Sequence, residues 1–206
     1  KLHADVERWL AEGWLDYLAP QLYWPIGQAA QAFAVLQDAW RAGNPLQRHI
    51  WPGLFTSRLG AERQAYDAAE VLAQVELTRH PGAVNDGHLH FSMIALLQDR
   101  DGIATRLREG PYAQAALTPA TPWLDEPPPQ PPAFDWRPQS RELTVAQGEG
   151  APLRQAVLWT EPPEGWRWQA LPLPQGKPLR VAANARTAWL IGIGRSGLES
   201  RALQVF

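Results

Sequence analysis

In the segment Trp14-Leu15-Asp16-Tyr17-Leu18-Ala19-Pro20-Gln21-Leu22-Tyr23-Trp24-Pro25, four side chains have the chemistry that polyhydroxylated ligands require. Asp16 is a carboxylate, Gln21 an amide that donates and accepts at once, and Tyr23 and Trp24 are flat rings each carrying one polar atom. Amides and carboxylates bond hydroxyl groups directionally, while rings cover the apolar C–H face of a sugar. Carbohydrate is the first ligand class this segment suggests. Tyr23 and Trp24 capping a core would explain the same pair equally well.

Two further strand-like stretches carry candidate groups. His88 and His90 alternate within Gly87-His88-Leu89-His90-Phe91-Ser92-Met93-Ile94, so they point to one side, as hydroxyl-binding groups in a barrel mouth or as a metal pair. No adjacent third ligand is evident, which disfavours the metal. Trp51 and Ser92 complete a cleft wall on the other two stretches, although core packing accounts for Trp51 as well. Asp86 either orients a histidine or caps a turn, and the turn is favoured. His49 and His80 read as surface or helix-end residues. Gly192-Ile193-Gly194-Arg195-Ser196-Gly197 has the outline of a dinucleotide fingerprint but no helix follows it, and it is rejected. Neither a nucleophilic serine motif nor a phosphate-binding loop occurs, and no metal or cofactor is expected.

The elements that must position these groups follow from periodicity. Val6, Trp9 and Leu10 share a helical face over residues 4–12, and Gly13 stands where a C-terminal cap belongs. The near-continuous apolar run from Leu15 to Leu22 predicts a parallel strand covered on both faces. A helix is expected over 27–42, a strand over 49–55 kinked at Pro52-Gly53, a helix over 61–79 closed by His80-Pro81-Gly82, a strand over 87–94, and a broken helical stretch over 101–117. Strand starts near Leu15, His49 and His88 recur at intervals of 34 and 39 residues with one helix in each interval, the rhythm of βα units in a parallel sheet. Thr118 to Pro132 is a proline-rich extended linker. Beyond it, short β-rich runs at 142–145, 155–159, 179–182 and 188–193 predict a small all-β sandwich over 133–206, of immunoglobulin or fibronectin type.

Composition narrows the function classes. The 206 residues include 11 Trp and 20 Pro and no Cys, with a formal net charge of −2. Thiol chemistry, disulfides and Cys-based metal sites are excluded, and nothing electrostatic favours nucleic acid or an anionic membrane. No run is long and apolar enough for a membrane span, and Lys1-Leu2-His3-Ala4-Asp5 does not open a signal peptide.

Taken together, Ala4-Asp5-Val6-Glu7-Arg8-Trp9, Glu12-Gly13-Trp14-Leu15-Asp16-Tyr17 and Pro20-Gln21-Leu22-Tyr23-Trp24-Pro25 resemble the late barrel region of the glycosyl-hydrolase-like family 10, long catalogued as a domain of unknown function. The resemblance continues through Gly87-His88-Leu89-His90-Phe91-Ser92, Ala116-Leu117-Thr118-Pro119-Ala120 and Arg195-Ser196-Gly197-Leu198-Glu199-Ser200, the last within a fibronectin-like tail. It implies a (β/α)8 barrel of which residues 1–117 supply about three of the eight units. It also implies hydrolysis of glycans, including peptide-free bacterial peptidoglycan, outside the cytoplasm, and no cofactor. The family's acidic stretch, resembling Asp-Gly-x-x-x-Asp-Asp-Tyr-Phe-Tyr-Pro on an earlier strand, has no counterpart among these residues.

Glycosidic hydrolysis needs two carboxyl groups, and Asp16 sits near the beginning of its strand, whereas barrel active sites gather at C-terminal strand ends. The expected role is therefore substrate binding by Gln21, Tyr23, Trp24, Trp51, His88, His90 and Ser92, with catalysis completed by an absent barrel half. Exposed sheet edges imply association with that half or with a second copy. The alternative is a non-catalytic carbohydrate-binding or scaffolding protein whose tryptophans form a platform.

Overall fold

The computed structural model describes residues 3–61, 65–79, 87–124 and 127–206. The chain divides into two compact units, Lys1–Leu117 and Thr118–Phe206.

In the first unit, α1 (Val6–Ala11) starts where the Asp5 carboxylate accepts the Arg8 N–H at 3.0 Å. Gly13 ends the turn at φ +73°, and a Cβ there would lie 2.7 Å from the Arg48 guanidinium. β1 (Tyr17–Leu18) pairs in parallel with β2 (His49–Ile50), and α2 (Phe33–Ala42) lies between them in the chain. Pro52 has no N–H to give a ladder, so the second strand pauses there and resumes as β3 (Gly53–Leu54), parallel to β4 (Leu89–His90). A bridge between Gln21 and Gly53 keeps the first strand beside the second. α3 (Ala68–Thr78) precedes β4, and α4 (Met93–Leu97) and α5 (Ile103–Glu109) follow it.

Register fixes which side chains share a face, because residues opposite each other in a parallel pair point the same way. Leu22 and Leu54 face the helices, packing with Phe33, Val71, Val75, Ile103 and Leu107 in a fully buried core. Each such leucine contributes on the order of 2 kcal/mol by leaving water. Tyr17, Leu89 and Phe91 lie on the opposite face and are 51%, 45% and 49% exposed. A first strand covered on both faces is thus corrected: among the described residues helices pack on one side only, and the other side carries Tyr17 against Trp51, half exposed.

Other boundaries move for local reasons. α2 begins at Phe33 instead of residue 27. α3 begins at Ala68, where Asp67 accepts the Glu70 N–H at 2.8 Å and Asp101 accepts the Ala68 N–H at 2.6 Å. Met93 and Ile94, assigned by pattern to the third strand, open α4. The expected helical stretch stops at Gly110. Asp86, His80 and the His80-Pro81-Gly82 stop lie outside the described residues.

The second unit is β-sandwich-like. β5 (Ala133–Arg137), β6 (Glu142–Ala146) and β9 (Leu179–Arg180) form one antiparallel sheet. β7 (Gln155–Thr160), β8 (Arg167–Pro172), β10 (Ala188–Ile193) and β11 (Leu203–Gln204) form another, ordered β11-β10-β7-β8. Leu143 and Val145 from the first sheet meet Ala156, Leu158, Leu171 and Leu190 from the second in a buried core. Gly197, at φ +80°, turns tightly where Pro119 and Ala120 pass, and a Cβ there would lie 2.9 Å from the Pro119 carbonyl oxygen. The Thr121 N–H reaches the Ser196 carbonyl beside it at 2.7 Å.

Candidate functional site

Where the three strand segments of the first unit run out, each delivers an aromatic ring. Extending the Gln21–Gly53 and Leu54–His90 registers by one or two residues brings Tyr23, Phe55 and Phe91 side by side. Their centroids are 4.6 Å apart for Tyr23–Phe55, 5.5 Å for Tyr23–Phe91 and 5.8 Å for Phe55–Phe91. Gly53 permits this, since a Cβ on it would lie 3.3 Å from Tyr23 Cε1. The Arg58 guanidinium stands 4.9 Å from the Phe55 ring centre, a cation over a π face.

Hydroxyl groups follow the rings. Ser92 N–H donates to Ser57 Oγ at 2.8 Å, the two serine oxygens are 3.1 Å apart, and Ser57 N–H donates to the Phe91 carbonyl at 2.8 Å. Ser92 is therefore tied to the end of the second strand.

The loop that carries Tyr23 and Trp24 is held by its backbone. Tyr66 O–H donates to the Tyr23 carbonyl at 2.9 Å, Gln74 Nε2 to the Trp24 carbonyl at 3.2 Å, and the Ile26 N–H reaches Glu70 at 2.8 Å. Gln74 is fully buried and also donates to Glu70 at 2.8 Å. With the main chain fixed, the side chains of Tyr23 and Trp24 are free to face a cavity of about 440 Å³, lined also by Pro25, Gln28, Arg58, Ala65 and Tyr66. Burial raises the Tyr23 and Tyr66 phenol pKa values, with Arg58 acting against that shift at Tyr66. Both stay neutral, able to donate and accept.

His88 and His90 do share a side, with their rings edge to face at 5.3 Å. That side is the helix-facing one, because His90 stands opposite Leu54. Tyr112 bridges them, its oxygen hydrogen-bonded to His88 Nε2 and to His90 Nε2, the latter at 2.8 Å. Proton positions follow from the ends of the chain of bonds. Thr78 O–H donates to the Val75 carbonyl, so its oxygen accepts from His88 Nδ1–H at 2.9 Å, leaving His88 Nε2 to accept from Tyr112. Tyr112 in turn accepts from His90 Nε2–H, and His90 Nδ1 accepts from Thr56 O–H at 2.7 Å. Both rings are neutral in this arrangement. Burial lowers each histidine pKa to about 4, helped at His88 by His90 and Arg79, and raises that of Tyr112 to about 12.

Trp51 stands apart from the ring cluster. It lies four residues before Phe55 along its strand, about 13 Å at strand rise, stacked with Tyr17 at 4.8 Å and with His49 at 5.2 Å. His49 is 2% exposed, which corrects its reading as a surface or helix-end residue: it forms part of β2 and lies against an indole. Gln21 is exposed on the open face, next to Gly53. Asp16 precedes β1, at the opposite end of the strands from the cluster. The carboxylates of Asp99 and Asp101 are spent on the first turns of α5 and α3. Among the described residues no three His, Cys, Asp or Glu side chains gather as a metal site.

Sequence reasoning missed Phe55, Phe91, Arg58, Tyr66 and Tyr112. The first two had a signal, since Leu54-Phe55-Thr56-Ser57 and His90-Phe91-Ser92 repeat one order of apolar or histidine, phenylalanine and hydroxyl residues at two strand ends.

Glycosyl hydrolase YngK of Bacillus subtilis (strain 168) is 35% identical over 134 residues, 64% of this chain and 26% of that protein. Glycosyl hydrolase DigH of Escherichia coli (strain K12) is 36% identical over 59 residues, 28% of this chain and 13% of that protein. The chain is thus related to proteins named glycosyl hydrolases, and matches about a quarter of the length of the first. No protein-family model matches it, and no solved structure does.

Proposed function

We propose that this chain is the C-terminal part of a glycoside hydrolase acting on bacterial cell-wall glycans of peptidoglycan type, and that it contributes substrate-contacting groups to a site completed by other strands. The observation that carries the reading is the convergence of Tyr23, Phe55 and Phe91 at the C-terminal ends of three parallel strand segments. Catalytic groups of parallel barrels occupy that end. Kinship with glycosyl hydrolases over 134 residues supports the ligand class. In this reading the three segments are the last βα units of a (β/α)8 barrel, and the second unit is a fibronectin-like module. The substrate lies outside the cytoplasmic membrane, so the parent protein is periplasmic or extracellular.

Within the site, Tyr23 and Phe91 cover sugar faces, and Gln21 and Trp24 fix orientation from the strand end and the cavity. The carboxylate pair that protonates the leaving oxygen and attacks or activates water comes from the missing strands. The test is steady-state kinetics of the longer parent protein on peptide-free peptidoglycan strands. Tyr23→Ala and Phe91→Ala are expected to raise KM several-fold, and unchanged kinetics in both variants would remove the proposal.

A further inference from the structure

The second unit carries an aromatic surface of its own. In the four-stranded sheet, Trp189 stands opposite Trp159, and Trp159 opposite Trp168, so the three indoles form a row across β10, β7 and β8. Gln204 of β11 stands opposite Trp189 and prolongs the row by one amide. Trp166 precedes Trp168 by two residues, and its ring centre lies 6.5 Å from that of Trp159. The neighbouring positions Ala156, Leu158, Leu171 and Leu190 point into the sandwich core, so the row is on the outward face. The three indoles in register are partly exposed, and Trp166 is 48% exposed.

Outward positions of antiparallel sheets ordinarily carry polar residues. Three tryptophans there and Trp166 just before β8 keep part of their apolar surface in water, Trp166 about half of it. None of the indole N–H groups is engaged in a hydrogen bond among the described residues. We propose that this row is a binding site for a single oligosaccharide chain, separate from the strand-end cluster of the first unit.

Three features select that ligand. Along β7, β8 and β10 no outward position carries a charge, so the surface suits a neutral partner. The contact groups are flat rings with free N–H donors plus a terminal amide, which match alternating C–H faces and hydroxyls; a protein-docking patch would be met by aliphatic side chains as readily. The rings do not share a plane. Trp159 and Trp168 are inclined by 41° at 6.3 Å, and Trp159 and Trp166 by 70°. A flat crystalline polysaccharide needs coplanar rings, whereas a free chain can rotate about each linkage and present successive sugars to tilted faces. The inference does not depend on the first unit being part of a hydrolase.

The test is isothermal titration calorimetry of the whole 206-residue chain with chitooligosaccharides and cellooligosaccharides, alongside quenching of tryptophan fluorescence. Trp166→Ala is expected to weaken binding about fivefold to tenfold. Trp168→Ala is expected to weaken it at least as much, Trp168→Phe less, and Trp14→Ala, at an exposed indole of the first unit, not at all. Trp166 is exposed, so its replacement keeps the test valid even where Trp168→Ala impairs folding. No binding of any of these chains would overturn the proposal, as would binding indifferent to both Trp166→Ala and Trp168→Ala. Binding lost only in Trp24→Ala would place it in the first unit, and self-association abolished by Trp166→Ala without sugar binding would make the row a protein interface; either result refutes the site.

Discussion

The Tyr66 hydroxyl donates a hydrogen bond of 2.9 Å to the carbonyl of Tyr23, 43 residues away in the chain. A phenol before α3 thereby sets where the first strand's terminal ring can stand. The same ring closes one wall of the cavity, so the bond joins stability to the shape of that cavity.

Replacing Tyr66 by Phe removes that bond while keeping the packing. The expected cost is about 1 kcal/mol of unfolding free energy, since the Tyr23 carbonyl is left partly unsatisfied. Urea denaturation reads the loss directly. Glycan binding at the first unit should weaken in parallel, and a variant with unchanged stability would show that the loop is held by Gln74 and Glu70 alone.

Gly53→Ala tests the ring cluster from beneath. The added methyl group would sit 3.3 Å from Tyr23 Cε1, closer than a methyl normally packs, and the ring must shift within its cluster with Phe55. Near-ultraviolet circular dichroism should lose aromatic signal and the melting temperature should fall. Gly27→Ala, where nothing lies within 4 Å, is the control and should leave both unchanged.

How much of this was legible in the sequence depended on which residues carry the signal. The parallel order of strand segments near residues 17, 49 and 89 was readable because helices separate them at a regular interval. The face of each residue was not. His88 and His90 look like cleft groups until the pairing of His90 with Leu54 puts them on the helix side, and pairing is a long-range fact. Tyr112 was invisible for the same reason, since it meets the histidines only through the fold. In the second unit β8 was missed because Arg167-Trp168-Gln169-Ala170-Leu171-Pro172 lacks β-branched residues and ends in proline. That omission also concealed the tryptophan row.

The open face and α4 should make the isolated chain associate. Leu89, Phe91, Met93, Ile94 and Leu97 are all more than 40% exposed and follow one another from β4 into α4. Among the described residues β4 pairs with β3 alone, leaving one edge unsatisfied. Light scattering at micromolar concentration is expected to show dimers or larger species, and Met93→Lys with Leu97→Lys should shift the population to monomer. A monodisperse wild-type monomer would contradict this.

Acid should loosen the contact between β4 and the segment after α5. In the folded chain His88 and His90 have pKa values lowered to about 4, by burial first and at His88 also by His90 and Arg79. Unfolded, they titrate near their ordinary value of 6.5. Between these limits the unfolded state binds more protons, so stability rises with pH: the contribution is complete above about 6.5 and is lost as pH falls toward about 4. Protonation strikes the network at defined atoms. A proton on His88 Nε2 removes the acceptor for Tyr112 O–H, and one on His90 Nδ1 removes the acceptor for Thr56 O–H. Urea midpoints measured from about pH 7 down to about pH 4.5 should therefore fall steadily. Tyr112→Phe leaves His90 Nε2–H without its acceptor and His88 Nε2 without its donor, lowers the midpoint at neutral pH, and removes the bond that protonation of His88 would break, so its midpoint should depend less on pH than that of the wild type. Equal slopes for the two proteins would show that the acid sensitivity arises elsewhere in the chain.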